Sequence, residues 1–319
     1  MVSTVIVLLS LTGLSVARDW SHHDEDAWPG QCGVGKEQSP INIVPHESLP
    51  DPHEAHIRGP LVYRGYGDVE VRARNTGYKV RWAVEPGTPA PVLSGGPLRD
   101  NYTFAEVHFH WLSEHAINGL KYPMEIHFVH LKTGLNFDQA LQQRDGVAVV
   151  GVLVQVGPIG ETSVLEELLP AMDYIVNPSN EDSPTFNVDL TKLFSPNPQA
   201  FYTYHGSLTT PLCPEVVTWM VMDQPTTVTH DHYKNLTRAD LEGINNDRRV
   251  QPLGTRMVYR SKEVASCSHM ASPSLLGLAA AIIACFRSKM STTLLGAMCS
   301  IVKTKRRLLG NVVNKVTCH

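Results

Sequence analysis

The sequence predicts a single β-dominated domain with a few short surface helices, flanked by end segments of a different character. Three observations lead there. From Trp20 to about Ala265, short β-branched and aromatic runs alternate with clusters of Gly, Pro, Asn and Asp, the texture of strands joined by turns. Helix start and stop signals are few. No internal repeat is visible, and a chain of 319 residues can hold one all-β domain of up to roughly 250 residues plus end segments. The 42% hydrophobic content and the formal net charge of −4 are ordinary for a globular protein, and no basic excess suggests a nucleic-acid partner.

Residues 1–17 are apolar and end in Ser15-Val16-Ala17, which reads as a signal peptide with a small-x-small cleavage site. The run is short for a membrane span, which takes about 20 residues. Strands are expected over 69–73, 79–84, 106–111, 125–131, 147–156 and 216–222. The run 147–156 is almost wholly apolar, as in a strand buried on both faces. One short helix is expected at 162–169, capped by Thr162-Ser163 and stopped by Pro170, and a second at 236–241.

Two of these strands carry the chemistry. Side chains alternate faces along a strand, so Glu106, His108 and His110 share one face of 106–111. In the next run Glu125, His127 and Val129 share a face, and His130 takes the other. Side by side, the strands can aim His108, His110 and His127 at one point. Three neutral imidazoles with an open fourth position form a catalytic zinc ligand set. Glu106 and Glu125 lie on the right faces to accept the rings' other N–H groups. A lone His-x-His pair in a strand is more often a half-buried polar face, so the weight falls on the third histidine and the carboxylates.

Only Cys32 and Cys213 of the six cysteines lie inside the domain, and an oxidising compartment allows them to pair. Asn101-Tyr102-Thr103 and Asn235-Leu236-Thr237 make Asn101 and Asn235 glycosylation candidates.

A series of motifs in order then resembles the α-class carbonic anhydrases over nearly all of Trp20 to Ala265. It runs Gln38-Ser39-Pro40-Ile41-Asn42-Ile43, Ser94-Gly95-Gly96-Pro97-Leu98, His108-Phe109-His110-Trp111, Ser113-Glu114-His115 and Glu125-Ile126-His127-Phe128-Val129-His130. It continues with Gly206-Ser207-Leu208-Thr209-Thr210-Pro211, then Asn245-Asn246 and Arg249-Val250-Gln251-Pro252-Leu253. The resemblance implies a large, twisted, mostly antiparallel sheet with a metal at the base of a conical cleft. It implies Zn2+ on His108, His110 and His127, with reversible hydration of CO2 to bicarbonate and a proton by attack of zinc-bound hydroxide. Zinc lowers the pKa of bound water to about 7, the value given for carbonic anhydrase as the type case.

By the same resemblance Thr209 is a gatekeeper hydroxyl and Glu114 its partner. An ionised carboxylate can only accept, so Glu114 takes the Thr209 proton and the Thr209 oxygen must accept from the nucleophile. Val129, Val149, Leu208, Val217 and Trp219 match the apolar CO2 wall, with Thr210 beside them, although composition alone reads them as core. Glu125 matches the partner of the third ligand. The Cys32–Cys213 pair fits the secreted and membrane-bound members, where it ties the N-terminal segment to the loop after the threonines.

Three departures stand out. Where fast members carry a shuttle histidine, the run Asn75-Thr76-Gly77-Tyr78 places Tyr78, and an unperturbed tyrosine with a pKa of about 10 relays protons poorly near neutrality. Proton export is therefore expected to depend on buffer, or on His22 or His23. Glu106 stands where the family usually has Gln, which pushes electron density onto His108. Lys79 and Arg81 charge a cleft wall that is often neutral, there either to attract bicarbonate or to face solvent.

From Ser266 the chain changes. Small residues precede an apolar run at 275–286, then Arg287 and Lys289, a second apolar run at 294–302 and a basic cluster. One helix through both runs would bury Arg287 and Lys289 at roughly 2.5–3.5 kcal/mol each, so a cleaved lipid-anchor signal of the GPI type is favoured over a span or a plain secreted tail. The sequence reading is thus a signal peptide at 1–17, a carbonic anhydrase domain at 18–265 and an anchor tail at 266–319. It places the enzyme on the extracellular face of the cell membrane, with CO2 and bicarbonate as partners and no expectation about oligomeric state. The alternative is a catalytically silent binding module of the same fold.

Overall fold

A computed structural model describes residues 20–51, 59–157, 164–179, 181–241 and 245–264. The signal-peptide and anchor-tail expectations, and the proposed cap Thr162-Ser163, lie outside the described residues.

The main strands are β1 (Leu49–Pro50), β2 (Val69–Asn75), β3 (Val80–Val84), β4 (Tyr102–Trp111), β5 (Met124–Lys132), β6 (Val147–Gly157), β7 (Thr185–Val188), β8 (Phe201–Gly206), β9 (Val217–Met222) and β10 (Tyr259–Arg260). They run side by side in the order β7-β2-β3-β4-β5-β6-β9-β8-β10-β1 within a sheet of thirteen strands among the described residues. Neighbours are antiparallel except at β6–β9 and β10–β1. The chain is mainly β on one large, mostly antiparallel sheet, as the sequence predicts. The parallel joint at β6–β9 follows from connectivity, because β7 and β8 are laid down elsewhere in the sheet before the chain returns to pair with β6.

Alternation along the central strands builds a core on each side. Ile126 and Phe128 of β5, with Val150, Val152 and Val154 of β6, join Trp82, Phe104 and Phe109 on one face. Val129, Val147, Val149 and Leu153 join Val217, Trp219, Ile41 and Ile43 on the other. β6 is therefore apolar on both faces because both are covered. Burying each large side chain stabilises the fold by about 1.5–3 kcal/mol. His130 points away from the histidine face: its Nε2 lies 2.7 Å from the Tyr66 hydroxyl and its Nδ1 3.2 Å from the Ala148 carbonyl. Burial lowers it to about 4, which makes it a neutral core histidine.

The helices differ from expectation. The first is a 3-10 segment, Glu166–Tyr174, that contains Pro170 rather than stopping there. Successive short turns such as Leu168 N–H to Leu165 O do not need the N–H that proline lacks. The second starts six residues earlier than expected, at His230–Leu236, because the Thr229 side chain accepts from His232 N–H and sets the start there.

Cys32 and Cys213 are joined in a disulfide across a sequence separation of 181 residues. Cys213 N–H donates to the Thr210 carbonyl at 2.9 Å, so the bond anchors the turn that carries the paired threonines. Replacing both cysteines with alanine is expected to destabilise the protein by about 2–5 kcal/mol, read from urea denaturation with the thiol state checked by mass spectrometry. A midpoint unchanged from the parent would refute a stabilising role.

Candidate metal centre

β4 and β5 pair in the register His127 opposite His108 and Glu125 opposite His110. This brings the rings of His108, His110 and His127 to one point, with ligand nitrogens all within 4.8 Å of one another. Ring centroids are 5.1, 5.2 and 4.5 Å apart. All three rings are buried, yet they line a cleft of about 500 Å3 that opens to solvent.

Each ring is held by its other nitrogen. His110 Nδ1 lies 2.8 Å from the Asn246 carbonyl. His127 Nε2 lies 2.9 Å from Glu125 Oε1. His108 Nδ1 stands 3.0 Å from Glu106 Oε1, an ion-pair contact rather than an aligned hydrogen bond. A ring that donates from one nitrogen presents a lone pair on the other, so His110 faces the common point with Nε2 and His127 with Nδ1. His110 Nε2 is buried without a hydrogen-bond partner, a costly arrangement for a polar atom unless something binds there. Burial lowers His108 to about 3, helped by Lys79, and lowers His110 well below its usual value; both therefore offer lone pairs at neutral pH. This donor set of three imidazole nitrogens fits a zinc ion. A second cluster, His115, Glu125 and His127, is closed on itself: His115 Nδ1 and His127 Nε2 both meet Glu125 Oε1, at 2.7 and 2.9 Å.

Glu125 is fixed from several sides. His115 N–H donates to its Oε2 at 2.8 Å, and the Tyr204 hydroxyl lies 2.7 Å from His115 Nε2. Burial alone would raise Glu125, but His115 and His127 outweigh it and hold the carboxyl well below the usual range. Gly151, opposite His127 on β6, leaves room for this carboxylate, since a Cβ there would come within 2.8 Å of Glu125 Oε1.

Glu114 is 1% exposed and Thr209 6%. Arg248 N–H donates to Glu114 Oε1 at 3.0 Å. Oε2 faces the histidines, 3.6 Å from His110 Nε2 and 3.7 Å from His127 Nδ1. Burial pushes Glu114 up to about 7, opposed by His127, the Arg248 N–H and the Thr209 hydroxyl. A cation at the three rings would pull it further down.

Val129, Val149, Leu208, Thr210 and Trp219 line the cleft beside the histidines, whereas Val217 does not and sits in the core beneath. Tyr78 lines the cleft. It follows a turn in which Gly77, at φ +86°, donates its N–H to Asn75 Oδ1 at 2.8 Å, a conformation open to glycine. The Tyr78 ring stacks on Trp20, with centroids 4.3 Å apart. His22 also lines the cleft, but burial and His23 lower it to about 4. Lys79 and Arg81 line the cleft and both pair with Glu106, Arg81 Nη1 at 3.1 Å from Oε2 and Lys79 Nζ with Oε1. Burial alone would raise Glu106, but Lys79 and His108 hold it well below the usual carboxylate range. Asn101 and Asn235 are exposed. Asn246 and Gly151 are the supporting residues that sequence reasoning missed. Asn246 was visible within a motif: its backbone carbonyl meets His110, and its side chain accepts from Trp111 N–H at 3.1 Å and donates to the Phe109 carbonyl at 2.9 Å.

Residues 17–262 match the eukaryotic-type carbonic anhydrase family. Human carbonic anhydrase 3 is 31% identical over 266 residues, covering 77% of this chain and 99% of that protein. Mouse carbonic anhydrase 3 is 32% identical over 271 residues, with the same coverage of 77% and 99%. A Caenorhabditis elegans protein named "Putative carbonic anhydrase 3" is 35% identical over 220 residues, 66% of this chain and 83% of that protein.

Proposed function

The chain belongs to the eukaryotic-type carbonic anhydrase family, and from that premise we propose that it catalyses reversible CO2 hydration with a zinc ion held by His108, His110 and His127. The observation that carries this reading is the convergence of three imidazoles with the lone pair of buried His110 Nε2 unpartnered. A zinc ion there supplies Lewis-acid chemistry that makes water nucleophilic near neutral pH.

The chain's own residues do the rest. Glu114, fixed by the Arg248 N–H, accepts the Thr209 proton and leaves the Thr209 oxygen to accept from the attacking oxygen, which orients a lone pair toward carbon. Val129, Val149, Leu208 and Trp219 give CO2, which has no net dipole, an apolar wall to lie against. Glu125, Glu106 and the Asn246 carbonyl hold the rings in position. The complete ligand set, together with Glu114 and Thr209, favours an enzyme over a silent binding module. The test is stopped-flow CO2 hydration before and after zinc removal. Activity lost on chelation and restored by zinc supports the proposal; zinc-loaded protein without hydration contradicts it.

Proton export is assigned to external buffer. Tyr78 lines the cleft where a relay histidine would serve, and His22, held at about 4, is a weak base at neutral pH, far from the match between pKa and pH that relay needs. Turnover is expected to rise with buffer concentration, and Tyr78→His to raise it about tenfold at low buffer while leaving kcat/KM for CO2 within about twofold. Buffer-independent turnover in the parent protein would refute this assignment.

The proposed location is the extracellular face of the membrane, with the catalytic domain at 18–265 released from a signal peptide and held by a GPI-type anchor cut from 266–319. The Cys32–Cys213 disulfide and the exposed sequon residues Asn101 and Asn235 support it. Release from intact cells by a phosphatidylinositol-specific phospholipase tests the anchor; enzyme that stays on the cells contradicts it.

A further inference from the structure

Arg81 lies directly opposite His108 across β3 and β4, and Lys79 precedes it by two residues, on the same face. Both cations reach one carboxylate, Glu106, taking an oxygen each. The oxygen that meets Lys79 also stands 3.0 Å from His108 Nδ1. The Glu106 side chain is only 12% exposed, whereas Lys79 and Arg81 are 30% and 28% exposed and line the cleft. A neutral amide would suffice to orient an imidazole. A bare carboxylate would add a negative charge beside the ligand, and two bare cations would oppose a bound metal. Together the three leave one positive charge in excess.

Resting on the reading that His108, His110 and His127 hold zinc, we propose that Lys79, Glu106 and Arg81 form a charge-balancing triad in which the two cations fix Glu106 against His108 and offset its charge. They are positioning residues that tune the metal site through its first ligand. Charges a few ångströms from a partly buried ion act strongly, and they act in opposite senses on a cation and on an anion approaching it. The triad therefore sets two properties in opposition, retention of the metal and affinity for anions at the metal. Removing Glu106 alone should weaken the first and strengthen the second. Removing the two cations alone should do the reverse. A loosened structure would weaken both together.

The experiment uses the full chain with four proteins: the parent, Glu106→Gln, the pair Lys79→Met with Arg81→Met, and the triple variant. Zinc release to a chelator gives metal retention. Azide titration of the cobalt-substituted proteins, followed by visible absorption, gives anion affinity. Glu106→Gln is expected to release zinc about tenfold faster, in the range for a residue supporting a metal ligand, and to bind azide about threefold more tightly. The double variant should move both readouts the other way, and the triple variant should return both to within about threefold of the parent. A Glu106→Gln effect that the triple variant does not rescue overturns the triad, as do readouts that weaken together or zinc release at the parent's rate throughout. A parent protein that binds no zinc overturns the three-histidine reading itself, and the triad with it.

Discussion

A His127→Ala protein is expected to retain its fold, to leave purification with less than a tenth of the parent's zinc, and to hydrate CO2 at least ~1,000-fold more slowly. Removing one of three imidazole donors leaves a two-nitrogen site, too few to hold zinc as a catalytic centre. The same change frees Glu125 Oε1, which His127 Nε2 meets at 2.9 Å, and leaves that carboxylate to His115 alone. Glu125→Gln is the gentler companion. It keeps all three rings but weakens the acceptor that fixes the His127 tautomer, and should cost about 10–100-fold in zinc affinity. Zinc analysis, circular dichroism and stopped-flow hydration on the same samples separate ligand loss from unfolding. A folded His127→Ala protein that keeps its zinc and its activity would show that the metal sits elsewhere.

The second large effect is expected at Thr209. Thr209→Val conserves shape and removes the hydroxyl, and should lower kcat/KM for CO2 about 100-fold with zinc content unchanged, the scale of a misoriented reacting group. Thr209→Ser keeps the hydroxyl and should stay within roughly tenfold. Glu114→Gln should resemble Thr209→Val, because an amide can donate where a carboxylate can only accept, and the direction of the hydrogen bond is then no longer enforced. On the proposal that the two residues act as one unit, Thr209→Val with Glu114→Gln should be little worse than either alone. Losses that multiply to about 10,000-fold would show that they act independently.

Much of this site was legible in the sequence because it is written in strand alternation. The period of two puts Glu106, His108 and His110 on one face and Glu125, His127 and Val129 on another, and antiparallel pairing aligns them. The pattern also separates His130, the histidine that faces the other core. What the sequence hid falls into two kinds. Asn246 meets His110 through its backbone carbonyl while its side-chain amide ties the Phe109 and Trp111 backbone, and Gly151 acts through the absence of a side chain; neither placement can be read from chemical type alone. Lys79 and Arg81 were visible as charges, but their target was not. Assigning them to Glu106 required the register that sets Arg81 opposite His108. The helices were misplaced for local reasons. Pro170 terminates an α-helix but not a run of 3-10 turns, and the second helix starts at His230 because the Thr229 side chain caps it there.

The most direct test of the central claim is zinc content measured together with CO2 hydration on one sample of the purified full chain. The account predicts about one zinc per chain, hydration that disappears on chelation and returns with zinc, and turnover that climbs with buffer. A folded protein that binds no zinc and does not hydrate CO2 would contradict the assignment of His108, His110 and His127 as a catalytic zinc site.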